Sequence, residues 1–268
     1  MTHVSRAPRA PARPGLAAIA AAAALAAAGV SPAMAQTTAA GTPGQSQWGL
    51  GAAAFWTDHA YRDFDNKVRP LPMVSYENKW ISASVPTLDL KLPSGSDALS
   101  FRLRARYAGD GYKASDSPYL DGMDKRKSSV WVGGAVLWKT DVVNLSAELL
   151  ADAMRESKGT RAKLQAERRF AFGAIGLTPR LATEWVDSKY VDYYYGVQAS
   201  EVRAGRSRYE GDSTVNVQAG LRVDYTLARQ HTFFVDFNAT RLGSAIKDSP
   251  LIDKSTQTGV GVGYLYRF

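Results

Sequence analysis

Apolar and polar side chains alternate with a period of two over long stretches of the chain. From Thr214 to Leu227 the odd positions are mainly apolar, and from Thr256 to Phe268 the even positions are. This period places successive side chains on opposite faces of a β-strand. The alternating stretches are nine to fifteen residues long, whereas strands of soluble sheets average about five or six. The pattern therefore predicts long strands with one apolar face.

The side chains on the two faces of these strands indicate that the strands span a membrane. A tilted strand of about nine to eleven residues crosses a bilayer. The apolar faces carry rings near strand ends, as in the aromatic girdles of outer-membrane barrels: Trp48, Phe55, Trp56, Tyr76, Tyr107, Trp138, Trp185, Tyr225 and Tyr266. The polar faces carry charges of both signs that fit a hydrated lumen, among them Arg102, Arg104, Arg222 and Asp224. Val217 is expected to face lipid near mid-membrane, and Gln218 to face the lumen.

The number of strands rests on one proline. Clear alternating stretches are residues 48–57, 68–76, 99–107, 129–138, 142–152, 161–171, 175–186, 213–227, 231–241 and 256–268, and residues 80–92 add one more. With both ends in the periplasm, the number must be even. Pro86 cannot donate to a strand ladder, so residues 80–92 are predicted to form two short strands. The fold is therefore expected to be all-β, an antiparallel transmembrane barrel of twelve strands. The alternative is ten, with residues 80–92 inside the lumen.

Connections of two lengths orient the predicted barrel. Short turns at residues 77–79, 139–141, 172–174 and 228–230 alternate with long loops at residues 58–66, 109–128, 187–213 and 243–255. Short periplasmic turns and long outer loops are typical of outer-membrane barrels. The last strand ends in alternating aromatic residues, Tyr264, Tyr266 and Phe268. This ending resembles the signal that the barrel-assembly machinery reads, so that machinery and outer-membrane lipid are expected partners.

The N-terminal segment predicts export. Residues 1–35 hold three Arg, an Ala-rich apolar run and the small-x-small pattern Ala33-Met34-Ala35, which is typical of a cleaved signal peptide. The alternative is a single N-terminal transmembrane helix. Cleavage lowers the formal charge from +8 to +5, and an exported basic protein has no expected nucleic-acid partner. The predicted organisation is a signal peptide at 1–35, a flexible periplasmic segment at 36–47 and an outer-membrane barrel at 48–268.

Candidate chemistry is sparse. The chain has no Cys, which excludes Cys nucleophiles and Cys-ligated metals. His59 beside Asp58 is the strongest candidate for acid–base work, but an Asp-rich surface loop is the commoner explanation. Gly259, Gly261 and Gly263 lie within a predicted strand and not before a helix, so close packing explains them better than phosphate binding. We therefore expect no catalysis, no metal site and no cofactor.

Two outer loops stand out. One holds Tyr193, Tyr194, Tyr195 and Gly196, and the other holds Asp248, Ser249, Pro250 and Asp253. Packing of these loops over the barrel mouth is the favoured interpretation. The alternative is a contact surface, because exposed Tyr clusters favour binding.

The same segments, in this order, resemble the MipA/OmpV family of MltA-interacting proteins over essentially the whole mature chain. The resemblance is carried by residues 60–65, 68–72, 116–118, 122–126, 177–180, 193–197, 240–242, 248–253 and 264–268, with Glu201 and Gly205. It implies an outer-membrane barrel without known catalysis. It further implies a scaffold that joins a lytic transglycosylase to a penicillin-binding protein in murein synthesis. The alternatives are a narrow pore for small polar solutes, selected by lumen Arg, a channel of the solute or antibiotic response, and a surface adhesin.

Overall fold

The wall of the molecule is a closed antiparallel sheet that returns to its first strand. The computed structural model describes residues 46–268, so the predicted signal peptide and nearly all of the predicted flexible segment lie outside the described residues. The first strand pairs with the last, from Gly49 opposite Arg267 to Asp58 opposite Thr258. Within the described range, no helix has the length and apolarity to cross a bilayer.

Neighbouring strands in the sequence are neighbours in the wall, as in a meander. The strands are β1 (Gln47–Asp58), β2 (Arg69–Glu77), β3 (Ile81–Ser84), β4 (Thr87–Lys91), β5 (Leu99–Ala108), β6 (Ser129–Lys139), β7 (Asn144–Asp152), β8 (Thr160–Glu167), β9 (Phe170–Phe172), β10 (Ile175–Val186), β11 (Thr214–Leu227), β12 (His231–Arg241) and β13 (Thr256–Arg267). Both β8 and β9 pair with β10, at its two ends. They therefore form one strand position, interrupted at Arg168 and Arg169, and the barrel has twelve positions.

Residues 80–92 form two short strands, which confirms the prediction made from Pro86. β3 and β4 pair with each other around a tip at Val85 and Pro86. The remaining edges of this hairpin pair with β2 and β5. The ten-strand alternative is wrong, because β3 and β4 are part of the wall and do not cross the lumen.

Side chains alternate between lipid and lumen as the sequence predicts, with one exception. Val217 is 50% exposed on the outer face, and Gln218 points inward, where it donates to Glu184. Phe55 is the exception, because it points into the lumen and is only 8% exposed. Its neighbour Trp56 takes the outward position. Since adjacent residues of a strand face opposite ways, only one of these two rings belongs to the outer girdle.

The register corrects the depth expected for Val217. Trp185 marks the outer aromatic ring on β10 and pairs with Val215 on β11. Val217 is the next outward residue below it and lies near the outer rim, not near mid-membrane. At the other end, Tyr225 pairs with Ile175. Leu221 lies midway between the two levels and is the mid-membrane residue of this strand.

The two ends of the barrel differ as the connection lengths predict. The periplasmic end carries short turns, such as the one at Ala228 and Arg229, both with positive φ. The outer end carries the long loops, which contain the helices α1 (Ser188–Tyr195) and α2 (Ser244–Lys247). The N and C termini of the wall meet at the periplasmic end, where Phe268 N donates to Trp48 O at 3.0 Å.

Candidate functional site

The outer loops fold over the barrel mouth as a compact layer, here called the roof. Its buried apolar members are Ala60, Tyr61, Tyr112, Leu120, Met123, Tyr190, Val191, Tyr194, Val197, Leu242, Ile246, Leu251 and Ile252, together with Ala108, Trp131, Leu150 and Val186 at the top of the wall. Residues distant in sequence meet there, since Tyr61 Oη donates to Tyr194 O at 3.1 Å. The roof is a second core that closes the outer mouth.

The three consecutive tyrosines on α1 are packed into the roof. Tyr194 is 0% exposed, and its Oη donates to Lys127 O at 3.0 Å. Tyr193 meets the Tyr194 ring edge-on, and Tyr195 stacks on Tyr61 with ring centroids 5.5 Å apart. Gly196 ends the helix by donating to Asp192 O at 2.9 Å. This arrangement leaves little tyrosine surface for a partner.

The loop from Asp248 to Asp253 is locked onto the same layer. Ser249 Oγ donates to Tyr195 O at 2.6 Å, which joins the two loops that stand out in the sequence. Pro250 O accepts from Arg62 Nε at 3.0 Å, and Asp253 N donates to Ala60 O at 3.1 Å. The side chains of Asp248 and Asp253 are exposed, and they are the most exposed members of the two motif loops.

Buried arginines fasten the roof, and sequence reasoning did not assign them this role. Arg126 pairs with Glu201, and Arg206 donates to the carbonyl oxygens of Glu201, Tyr119 and Asp121 at 2.6–3.0 Å. Arg126 and Glu201 belong to segments that carry the family resemblance. Their pairing has no local signal in the sequence, because 75 residues separate them.

Beneath the roof lies a chamber in the outer half of the lumen, with an empty volume of about 1050 Å³ counted with its open side. Its ionisable lining residues are His59, Arg69, Asp110, Arg161, Lys163, Arg180 and Glu184. Arg161 bridges Glu184 at 2.6 Å and Asp110 at 3.2 Å. Lys163 donates to Gln218 at 2.8 Å. The chamber wall is therefore polar around Arg161 and Lys163.

Two donors in the chamber lining are buried without a hydrogen-bond partner among the described residues. They are Arg69 Nη1 and Tyr112 Oη, and both residues line the chamber. An unsatisfied buried donor costs about 1–3 kcal/mol. The chamber therefore offers hydrogen-bond donors to an acceptor such as a carboxylate or a phosphate.

Burial shifts the protonation of the loop groups around the chamber. The pKa of His59 falls to about 4, because burial disfavours its charged form and Arg69 adds repulsion. Burial raises the pKa of Asp110, while Arg161 opposes the rise. Burial also raises the pKa of Tyr112 above its ordinary value. His59 is thus neutral at neutral pH, and the tyrosine keeps its donor hydrogen.

Ion pairs line two walls of the inner half of the lumen. Asp89 accepts from Arg102 at 3.0 Å and from Arg104 at 2.7 and 2.8 Å. Arg104 also pairs with Glu148 at 2.5 Å, and Glu148 pairs in addition with Arg106. On the opposite wall, Arg180 pairs with Asp236, Arg169 with Asp224, and Arg222 lies over the Phe234 ring at 3.9 Å. The predicted lumen charges thus lie against neighbours one or two strands away along the wall.

The arrangement around His59 does not build an acid–base pair. Asp58 accepts from Asn66 at 2.8 Å and pairs with Lys254 at 2.6 Å, while the His59 ring packs on Phe64. Within residues 46–268, no group of three or more His, Asp or Glu side chains is placed to hold a metal.

The aromatic residues at the end of β13 lie at the periplasmic rim. Tyr264 packs on Phe233 with ring centroids 4.9 Å apart, and Tyr266 stacks on Phe268 at 6.0 Å. Gly261 and Gly263 lie on the opposite, inward face of the same strand. A Cβ at either position would lie 2.4 Å from the ring of Phe55 or Phe234, respectively, so close packing requires these glycines.

Comparison with known proteins gives consistent matches along the barrel. The profile of the family described as MltA-interacting protein MipA matches residues 50–268. The MltA-interacting protein of Escherichia coli K12 is 27% identical over 87% of this chain and 94% of its own length. Outer membrane protein OmpV of Vibrio cholerae is 24% identical over 84% and 88%. Among solved structures, the NanC porin matches with a TM-score of 0.42 and 6% identity over 81% of this chain and 98% of that one.

Proposed function

Because the chain belongs to the MltA-interacting protein family of the outer membrane, we propose that it is an interaction protein that docks a murein-processing enzyme at its periplasmic rim. The relative in Escherichia coli is named for an interaction with MltA. The observation that carries the proposal is the roof over the outer mouth, together with the ion pairs along the inner lumen wall. Both leave the outside of the barrel as the surface available to a protein partner. The proposal assigns no catalysis to the barrel itself.

The periplasmic rim exposes more basic than acidic side chains, and this charge can attract a protein partner. Its short turns expose Lys79, Lys139 and Arg229, and the break between β8 and β9 exposes Arg168; these four residues are here called the basic rim. Exposed acidic residues at the same end are Asp97 and Asp141. Complementary charge speeds association and selects partners, and it weakens with salt. The basic rim therefore fits an enzyme with an acidic docking face.

Charge reversal tests this docking. The purified barrel, held in detergent, is titrated with a lytic transglycosylase from the same organism at low and at physiological salt. The double variant Lys79→Glu/Arg229→Glu should bind about tenfold more weakly or worse, as the loss of about 1.4 kcal/mol implies. The matched control, Lys125→Glu/Arg208→Glu, reverses two exposed charges of the outer loops and should bind normally. Absence of binding by the unmodified barrel, or equal loss in the control, contradicts the proposal.

A solute pore is the second candidate, and the chamber is the observation that favours it. Arg102 and Arg104, the residues expected to select solutes, are both tied to Asp89. Passage would require these ion pairs to separate, so we expect little conductance in planar bilayers. Steady single-channel currents through the unmodified barrel would favour the pore over the docking function.

A further inference from the structure

The hairpin of β3 and β4 runs beside β5 as far as Tyr107, near the outer end of that strand, but leaves the outer part of the β2 edge unpaired. On the β2 side, β3 pairs with Ser75–Glu77, and the tip ends where Val85 N donates to Val74 O at 3.2 Å. On the β5 side, Pro86 O accepts from Tyr107 N at 3.1 Å. In the described part of the chain, the edge of β2 above Val74 has no strand beside it on the β5 side. The β2 edge from Arg69 to Met73 is therefore unpaired on this side, and this stretch is here called the gap.

Pro70 and Pro72 lie on the unpaired edge of β2, at positions where any other residue would expose a backbone N–H group. Alternate residues of a strand direct their backbone groups to the same edge, and Val74 directs its carbonyl toward β3. Pro72 and Pro70, two and four residues away, therefore face the gap. In lipid, each unpaired backbone group costs several kcal/mol. A residue without an N–H lowers that cost, so the sequence of β2 is suited to an unpaired edge.

The gap lies at the depth of the apolar part of the membrane. On β1, Trp48 and Trp56 are exposed outward near the periplasmic and outer ends. Between them, Gly51 pairs with Met73 and Ala54 pairs with Pro70. The free edge therefore lies between the two aromatic levels, in the half nearer the outer leaflet.

Behind the free edge, the lumen wall is apolar. Inward side chains of four neighbouring strands form a strip there: Ala53 and Phe55 of β1, Leu71 and Met73 of β2, Phe234 of β12 and Leu265 of β13. Elsewhere the inner lumen wall carries the ion pairs described above. An apolar strip inside a hydrated barrel, placed at an opening to lipid, is suited to a hydrocarbon chain.

The polar chamber lies next to the gap on two sides. On one side it is lined by Arg69, the first residue of β2. On the other side it is lined by the residues that follow β5, Gly109, Asp110 and Gly111. Arg69 Nη1 has no hydrogen-bond partner among the described residues. A cation at the outer end of an apolar strip matches a molecule with an anionic head and a hydrocarbon tail.

We propose that the gap between β2 and β5 is a lateral opening that admits an amphiphile from the outer leaflet. Its acyl chain lies along the apolar strip, and its anionic head, a carboxylate or a phosphate, accepts from Arg69 in the chamber. This proposal does not rest on the docking proposed above, because the opening lies in the outer half of the barrel and the docking surface lies at the periplasmic rim.

Thiol labelling from the membrane tests the opening, and the absence of Cys in the chain makes the introduced thiol the sole target. Met73→Cys places a thiol inside the lumen beside the free edge, and Ala135→Cys places one inside where β6 is paired on both sides. The two native side chains are 3% and 4% exposed. Dodecyl maleimide in lipid vesicles should modify the Met73→Cys variant at least about tenfold faster than the Ala135→Cys variant, because burial behind a paired wall protects a group. Equal rates overturn the proposal. Leu71→Cys replaces Met73→Cys if that variant fails to fold.

Retention of an amphiphile tests the occupant. The barrel is exchanged into neutral detergent, exposed to myristate, tetradecanol or acetate, and examined by native mass spectrometry. Myristate should be retained. Tetradecanol should be lost because it lacks the anionic head, and acetate should be lost because it lacks the hydrocarbon chain. Arg69→Gln should lower retention about tenfold, as loss of a charge-assisted hydrogen bond implies. Leu71→Trp should block the strip, while Leu50→Trp on the lipid face should not. Retention of acetate equal to that of myristate, or no effect of Arg69→Gln, overturns the assignment.

Discussion

Arg126 and Glu201 form a buried ion pair that joins two outer loops, with Arg126 Nη2 2.8 and 2.9 Å from the two carboxylate oxygens. Both side chains are almost entirely buried. Arg126 also donates to Tyr193 O at 2.7 Å. The pair therefore holds the loop after β5 against the end of α1, and it fixes the roof over the chamber.

Glu201→Ala should loosen the roof. The change leaves Arg126 buried and uncompensated, which costs about 3–5 kcal/mol in buried pairs. We expect faster tryptic cleavage after Lys125 and Lys127 in the folded barrel and a lower urea midpoint in detergent. The control is Glu210→Ala, since Glu210 pairs with Arg208 at 3.7 Å in solvent and such pairs contribute about 0–1 kcal/mol. Equal cleavage in both variants would contradict the role given to Arg126.

Leu221→Arg should destabilise the barrel more than Val217→Arg. An arginine facing lipid costs about 2–4 kcal/mol at the bilayer midplane and about 0–1 kcal/mol near the interfaces. The register puts Leu221 at mid-depth and Val217 near the outer ring. Urea titrations of barrels folded into lipid vesicles measure the difference.

Gln218→Arg is the matched lumen-facing control on the same strand. Gln218 Nε2 lies 3.1 Å from Glu184 Oε2, so an arginine there has a carboxylate to pair with. Its cost should be well below that of Leu221→Arg. Equal costs for the two substitutions would refute the assignment of the two faces.

His59 should make the folded barrel sensitive to mild acid. Its pKa falls from 6.5 in the unfolded chain to about 4 in the folded one. Between these values the unfolded state binds more protons, so the stability contributed by neutral His59 is complete above about pH 6.5 and falls as the pH drops toward 4. The unfolding midpoint of the unmodified barrel should therefore drop more than that of His59→Gln between about pH 7.5 and pH 5. Parallel pH profiles of the two proteins would rule out His59 as the source.

Deletion of Phe268 should impair assembly in cells. Phe268 exchanges two backbone hydrogen bonds with Trp48 where the last strand meets the first, and its ring stacks on Tyr266. We expect less folded barrel in outer-membrane fractions, measured by the heat-dependent shift in gel mobility. Phe268→Tyr keeps a terminal ring and should assemble normally. Normal insertion of the deletion variant would reject the proposed signal for the barrel-assembly machinery.

The sequence by itself determined the wall. The alternation around Leu221 fixes which side chains meet lipid, because the cost of placing a polar group in hydrocarbon is decided residue by residue. Pro86 likewise fixed a turn locally, since proline lacks the N–H that a strand ladder needs. Strand positions, the number of strands and the two kinds of connection all follow from such local rules.

Only the tertiary structure decided how the interior is used. Arg102 and Arg104 were predicted to face the lumen, but their pairing with Asp89 depends on which strands become neighbours. The same holds for the Tyr193–Tyr195 run, which a loop more than 50 residues away covers. The gap beside Pro70 and Pro72 arises because the shear of the closed sheet sets where a short hairpin ends on each neighbour. Pairing, burial and openings join residues far apart in the chain, so no local pattern contains them.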